Sequence, residues 1–392
     1  MSAPVGEQVQ PAVEPTAAAD GDAKASAEEP GGKPKRLASL DAFRGFTILG
    51  MLLVNNAALD VFTPRQFQHA AWNDGVHFAD MVFPWFLLIV GVAIPFAAAS
   101  HRRKGLPPWR YDLRVLGRAV SLGLLGCLID SSLARRPVLG LGVLQLIGAA
   151  YLVGAALYEL PLRGRLALAA GFLVAHWAAI KFLPIPGVGA GVFKESQNLI
   201  NHLNQVYLGP LGLGGLISVV PASALALIGT AIGDVLRGET STSMQKTARL
   251  LAAGAGLVVI GWLWSLHLPF NKPVWTASYI FYAAGWGTLV LGVFYLLIDA
   301  RGWRGWAFPL VVLGANAIFA YAVPILVKVH LLQEWTVKAA HGSVVSVQQA
   351  FMNFLFLHAG RIAGGWLYTS AYIVFWWLVL LWLYRRRIFL RV

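Results

Sequence analysis

The sequence has one cysteine, Cys127, set inside the apolar stretch Val120 to Ile129. With no second cysteine to pair with, intrachain disulfides and multi-cysteine metal sites are excluded. Charge is scarce too: 12% of residues are Asp, Glu, Lys or Arg, against 57% hydrophobic residues. A soluble globular chain rarely has so little charge, and the mean hydropathy of +0.64 agrees. Acidic residues are the scarcer sign, 18 against 31 basic, for a formal net charge of +13. That excess does not mark a nucleic-acid binder, because Lys and Arg occur as short clusters between apolar runs rather than in one basic domain. No nucleic acid is expected as a partner. Residues 1–36 lack any apolar run and any signal-peptide pattern; rich in Ala, Pro, Glu and Gly, they are expected to form a disordered cytoplasmic tail.

Beyond the tail, apolar runs recur near 43–59, 78–99, 115–131, 138–158, 166–183, 214–235, 250–267, 277–298, 307–330 and 366–384. A helix needs about 20 mostly apolar residues to cross the hydrocarbon core, so the runs predict an all-α, polytopic integral membrane bundle of about ten spans over residues 37–392. Lys and Arg cluster at Lys33–Arg36, Arg102–Arg118, Arg163–Arg165, Arg237–Arg249, Arg301–Arg304 and Arg385–Arg391, all on one side if the spans alternate. By the positive-inside rule both termini are expected in the cytoplasm, and segments 60–77, 184–213 and 331–365 on the opposite side. Long outer loops usually carry function. Short apolar stretches within them are candidate re-entrant or interfacial helices, with Trp335 and Trp366 where interface anchors belong.

Two clusters carry chemistry. Asp41 and Arg44 open the first span three residues apart, hence on one helical face, and can pair; an interfacial ion pair with a snorkelling arginine is the plain structural alternative. The second runs from His69 to Asp80 and packs two imidazoles, Trp72, Asn73 and two carboxylates just before a long apolar span. Asp80 is followed at once by Met81-Val82-Phe83-Pro84-Trp85-Phe86, which puts its carboxylate at or below the membrane edge. A buried acid there calls for a specific partner, and an N-terminal helix cap is the alternative; the two roles are compatible.

Ser39-Leu40-Asp41-Ala42-Phe43-Arg44-Gly45, Val54-Asn55, His69-Ala70-Ala71-Trp72-Asn73 and Ala79-Asp80-Met81-Val82-Phe83-Pro84-Trp85-Phe86, in this order and spacing, resemble the heparan-α-glucosaminide N-acetyltransferase family. A weaker likeness continues through Gly142-Val143-Leu144-Gln145, Asn271-Lys272-Pro273-Val274-Trp275 and Leu313-Gly314-Ala315-Asn316-Ala317. The resemblance implies transfer of an acetyl group from cytosolic acetyl-CoA, a co-substrate, to a saccharide or glycan acceptor across the bilayer, without a metal. It also implies His69, Asn55 and Asp80 as catalytic positions, and Asp41, Arg44, Trp72 and Asn73 as positions that bind substrate or CoA. The chain departs from the family in reading Trp72-Asn73-Asp74-Gly75 where Trp-Asn-Gly is common, and Gly214-Gly215 where Glu-Gly is common.

Imidazole suits the role of base because its ordinary pKa, about 6.5, lies near working pH, and amide or indole N–H groups from Asn55, Asn73 or Trp72 are the right types to stabilise an oxyanion. Asn55 lies 11 residues beyond Arg44, about 16 Å along a helix at 1.5 Å per residue, so one helix links the two sides. The layout lets CoA phosphates sit near cytoplasmic basic residues, Arg102 and Arg103 included, while the pantetheine arm runs through the bundle towards His69. Direct attack in a ternary complex and a transient acetyl-histidine both fit. A transporter or flippase of a small or lipid-linked solute is the competing class, although no inverted repeat is evident. The acceptor and the oligomeric state, a homodimer included, stay open.

Overall fold

The computed structural model describes residues 37–338 and 343–390; the tail expected over residues 1–36 lies outside them. The described residues form α1 (Ala38–Asn56), α2 (Phe78–Arg103), α3 (Pro108–Ala134), α4 (Val143–Ala156) and α5 (Leu162–Phe182). After them come a two-stranded hairpin, β1 (Pro184–Ile185) with β2 (Gly189–Ala190), and the single turn α6 (Leu199–Leu203). The chain continues through α7 (Val219–Arg237), α8 (Ser243–Ser265), α9 (Ala277–Phe294), α10 (Phe308–Ala315) and α11 (Ala317–Val327). It ends with a second hairpin, β3 (Thr336–Lys338) with β4 (Val344–Ser346), and α12 (Val347–Arg385). π-helical turns over Tyr295–Ala300 and Lys328–Gln333 extend α9 and α11.

Each of the ten apolar runs falls on one of these helices, or on the α10–α11 pair. The count of ten spans is not reproduced. Six helices (α2, α5, α7 with its preceding turn, α8, α9 with its π turn, and α12) have the length and apolarity to cross a membrane, or seven if α10 and α11, bent by 67°, make one broken span. The other three fall short for visible reasons. α4 has only 14 residues. α1 carries Asp41 and Arg44 near its start and asparagines at its end, and α3 carries Arg110, Asp112, Arg114, Arg118 and Asp130. Segment 331–365 is expected as an outer loop with candidate re-entrant or interfacial helices. Much of it is the first part of α12, which kinks at Gly360, a residue with φ 77° and ψ 168° that glycine alone adopts without strain.

α2 and α7 are the most buried of the long apolar helices, and α5 and α8 the least. Lipid tails are as apolar as leucine, so helices in a bilayer associate through close packing of small residues rather than through hydrophobic burial. The α1–α10 crossing is the tightest case: a Cβ on Gly45 would overlap the Leu310 carbonyl, and one on Gly314 the Asp41 carbonyl. Asn316 breaks the chain between α10 and α11. Its side-chain amide donates to the Ile388 carbonyl (3.0 Å) and its oxygen accepts the Leu390 N–H (2.9 Å), so the break also holds the chain that follows α12.

At one set of helix ends Arg102 pairs with Glu159 (2.6 Å), Arg165 with Asp234, and the Ser39 N–H with Asp299 (3.0 Å). The segment joining α1 to α2 comes together with the α8–α9 connection at the other end of α1.

Candidate active site

The segment between α1 and α2 is too short to fold alone and is held by a few polar ties. Arg65 donates to both Asp74 carboxylate oxygens (2.7 Å each) and, through Nε, to His77 Nε2 (3.1 Å). His77 Nδ1 then donates to the Gln68 carbonyl (3.0 Å). The chain reverses at Asn73 and Gly75, with φ of 61° and 80°, the left-handed region that Asn and Gly tolerate. These ties bring His69 back over the first turn of α2.

Asp80 sits in that first turn, 2% exposed. One carboxylate oxygen accepts the N–H of Ala70 (3.0 Å) and of His77 (3.1 Å), so Asp80 caps α2 from within. The other lies 2.8 Å from His69 Nδ1 and 3.5 Å from Lys272 Nζ. The Tyr279 hydroxyl donates to the Asp80 carbonyl (2.6 Å), which ties this turn to α9. An ionised carboxylate only accepts hydrogen bonds, so His69 Nδ1 carries the proton and Nε2 keeps its lone pair. Lys272 Nζ is also 3.1 Å from Nδ1. With that nitrogen protonated, the ammonium serves the Asp80 carboxylate, adding a cation to a buried charge already held by two backbone N–H groups and His69. Burial pulls the Lys272 ammonium below its usual range, and Asp80 opposes that pull.

His69, 57% exposed, borders a cavity of about 250 Å³. Asn55, Lys272, Tyr321 and Val143 share its lining. Asn55 lies in the last turn of α1, and its backbone carbonyl accepts from Lys328 Nζ (2.7 Å), which ties the end of α1 to the π turn after α11. A larger open groove of about 930 Å³ beside Gly360 and Trp366 is mostly apolar, with Arg361 and Ser370 on its lining, and holds none of these groups.

The expected residues are therefore divided. His69, Asn55 and Asp80 meet at one place. Trp72 and Asn73 do not line the cavity: Trp72 packs on Phe193 (ring centroids 5.0 Å apart) with its buried indole N–H unpartnered, and Asn73 is exposed in the turn. Asp41 and Arg44 pair with each other (3.0 Å) near the opposite end of α1, about 20 Å away along a helix rising 1.5 Å per residue. Lys272 and Tyr321 were not singled out from the sequence. Lys272 lies in the Asn271-Lys272-Pro273 block, and alternating spans would have put it on the face of segment 60–77; Tyr321 stands inside an apolar run with no such signal. Among the described residues no group of three or more His, Cys, Asp or Glu side chains could hold a metal ion.

The sequence pattern of the family described as heparan-alpha-glucosaminide N-acetyltransferase, catalytic, matches residues 36–269, more than half of the chain. That range contains Asn55, His69 and Asp80 but stops short of Lys272 and Tyr321. The human heparan-alpha-glucosaminide N-acetyltransferase (Homo sapiens) is 25% identical over 367 residues, covering 77% of this chain and 54% of that protein. The mouse protein of the same name (Mus musculus) is 23% identical over 354 residues, covering 73% and 53%. The chain thus spans about half the length of these curated relatives. Matched over most of its helical part, with the residues of the cavity's histidine–carboxylate pair inside the matched range, the chain belongs to the heparan-alpha-glucosaminide N-acetyltransferase family.

Proposed function

We propose that residues 37–392 form a membrane-embedded acetyltransferase that moves an acetyl group from cytosolic acetyl-CoA to an amino or hydroxyl group of an extracytoplasmic saccharide or glycan. The observation that carries this is the His69–Asp80 pair on a cavity shared with Asn55, in a chain of this family. Asp80, held by two backbone N–H groups, keeps the imidazole in the tautomer whose Nε2 is a base. The acceptor N–H or O–H attacks the thioester carbonyl while its proton passes to Nε2. The C–S bond then breaks, and the departing CoA thiolate takes that proton from the imidazolium. Asn55 supplies an amide N–H for the oxyanion, and Lys272 offsets the Asp80 charge.

Asp41, Arg44, Arg102 and Arg103 are the donor-binding positions in this reading. Supporting it, Arg44 stands near the end of α1 opposite Asn55, and Arg102 stands at the end of α2 opposite its Asp80 turn, across the length of that helix. The Lys and Arg clusters favour a multi-pass protein of the inner membrane with both termini in the cytoplasm. The test is transfer of radiolabelled acetyl from acetyl-CoA to a panel of amino sugars and membrane glycans, in inverted and right-side-out vesicles, with wild type and His69→Ala. Transfer that requires CoA on the cytoplasmic face, the acceptor on the other, and His69 supports the proposal. Transfer that survives His69→Ala removes the assigned base, and no transfer with any acceptor removes the enzyme.

A further inference from the structure

A second chain of hydrogen bonds joins the end of α3 to the turn after α11, through residues that do not line the His69 cavity. Ser132 Oγ lies 2.8 Å from His330 Nε2, and His330 Nδ1 lies 2.8 Å from Glu334 Oε1. Arg135 Nη2 lies 2.7 Å from that same carboxylate oxygen. The protons follow from what each group can do. Glu334, ionised, only accepts, so Nδ1 carries the hydrogen; Nε2 then has a lone pair, and the Ser132 O–H donates to it. The Arg135 guanidinium first, and His330 second, hold the Glu334 carboxyl below the usual carboxylate range, which keeps it ionised.

Hydroxyl, imidazole and carboxylate in this order, through these two nitrogens, are the arrangement that activates a serine, recognised by geometry and role rather than by chain order. The backbone is unusual at both ends of it. His330 rides on the π-helical turn Lys328–Gln333, a form that is rare and frequent at functional sites. Arg135, just past the end of α3, adopts φ 53°, uncommon for a residue other than glycine. A mere tie between two helix ends needs only the Arg135–Glu334 ion pair. It gives no reason for His330 to turn its free nitrogen onto Ser132.

We propose that Ser132, His330 and Glu334 form a second nucleophilic site, which takes the acyl group of an ester or thioester onto the Ser132 oxygen. The Ser132 oxygen adds to the acyl carbonyl as its proton passes to His330 Nε2. The acyl C–O or C–S bond breaks, and the leaving alkoxide or thiolate takes the proton from the imidazolium. Water or a second acceptor then removes the acyl group by the same steps, giving its proton to Nε2 as it attacks and returning the hydroxyl to Ser132. The site stands or falls independently of His69.

The neighbouring Ser131 is an internal control: its hydroxyl accepts the Val138 N–H (2.9 Å) and donates to the Val138 carbonyl (3.4 Å), with no imidazole on it. The purified full chain in detergent is treated with a biotin-tagged fluorophosphonate, which phosphonylates activated serine hydroxyls with loss of fluoride, and the adduct is mapped by peptide mass spectrometry. The expected adduct is on Ser132 and not on Ser131. His330→Gln is expected to slow the labelling at least a hundredfold, the scale of a lost general base, and Glu334→Gln less. Size-exclusion elution shows that each variant is folded. No adduct on Ser132 in wild type, equal labelling of Ser131 and Ser132, or labelling unchanged in folded His330→Gln overturns the proposal.

Discussion

Two histidine–carboxylate pairs sit in different surroundings in this molecule. In the first, Asp80 is 2% exposed and held by two backbone N–H groups, while the imidazole of His69 stands half in the open beside a cavity. In the second, His330 and Glu334 are each about one third exposed, at 33% and 35%, and an arginine rather than backbone holds the carboxylate. Backbone donors, one at the N-cap of α2 and one in the segment before it, cannot swing away as a side chain can, whereas Arg135 is a long side chain and 69% exposed. The first pair is preorganised by the fold and the second by another side chain. The first should therefore tolerate fewer changes and give larger losses.

The most severe test of this contrast is His69→Ala, expected to reduce acetyl transfer by about 10²–10⁴-fold, the usual contribution of a positioned base. Radiolabelled acetyl-CoA turnover in vesicles measures it. Asp80→Asn is expected to come next, with a loss of about a hundredfold and a fall in stability of about 1 kcal/mol from the weakened cap, seen as a lower thermal midpoint in detergent. Combining it with His69→Ala should add little to the activity loss, because the two residues act as a unit; fully additive losses would show that Asp80 works only as a cap.

Lys272→Met is expected to cost about tenfold in turnover, since 1.4 kcal/mol of lost charge compensation corresponds to that factor. Lys272→Arg should recover part of it, because the cation returns in a bulkier form. The smallest effect is expected of Arg135→Gln, beside the second pair. The Glu334 carboxyl titrates below its ordinary 4.5, first through Arg135 and then through His330. A carboxyl lowered in the folded chain contributes stability that is complete above the unfolded value and fades as pH falls through the folded one. Arg135→Gln removes the larger cause, so acid loosening of the α3–α11 contact should begin at higher pH, as followed by hydrogen exchange of residues 130–138 between about pH 3 and 6. An unchanged onset would assign the tie to another contact.

Much of this arrangement was legible in the sequence. Apolar runs identify the helices because a bilayer leaves the backbone few other ways to satisfy its hydrogen bonds. Which runs become helices long and apolar enough to cross a membrane was not legible, because run length does not reveal that α4 is a short helix or that Asn316 bends its span. At the cavity, His69, Asp80 and Asn55 stand out because polar groups beside a long apolar run attract attention. Trp72 shares their sequence block yet turns to Phe193, since a large aromatic side chain follows the nearest apolar surface rather than its neighbours in the chain. Lys272 approaches from 203 residues away, and Ser132 and His330 are 198 residues apart. Contacts at such separation leave no spacing to read in a single sequence.

The crossing of α1 with α10 has a consequence for motion. Where Gly45 and Gly314 let two backbones touch, sliding or rotating one helix past the other brings steric overlap, so the two are interlocked at this crossing. Asn55 and the Asp41–Arg44 pair stand near the two ends of α1, and one unbroken helix sets their separation. In the proposed transfer, α1 is thus the rail along which the reach of a long donor, from Arg44 to Asn55, is measured.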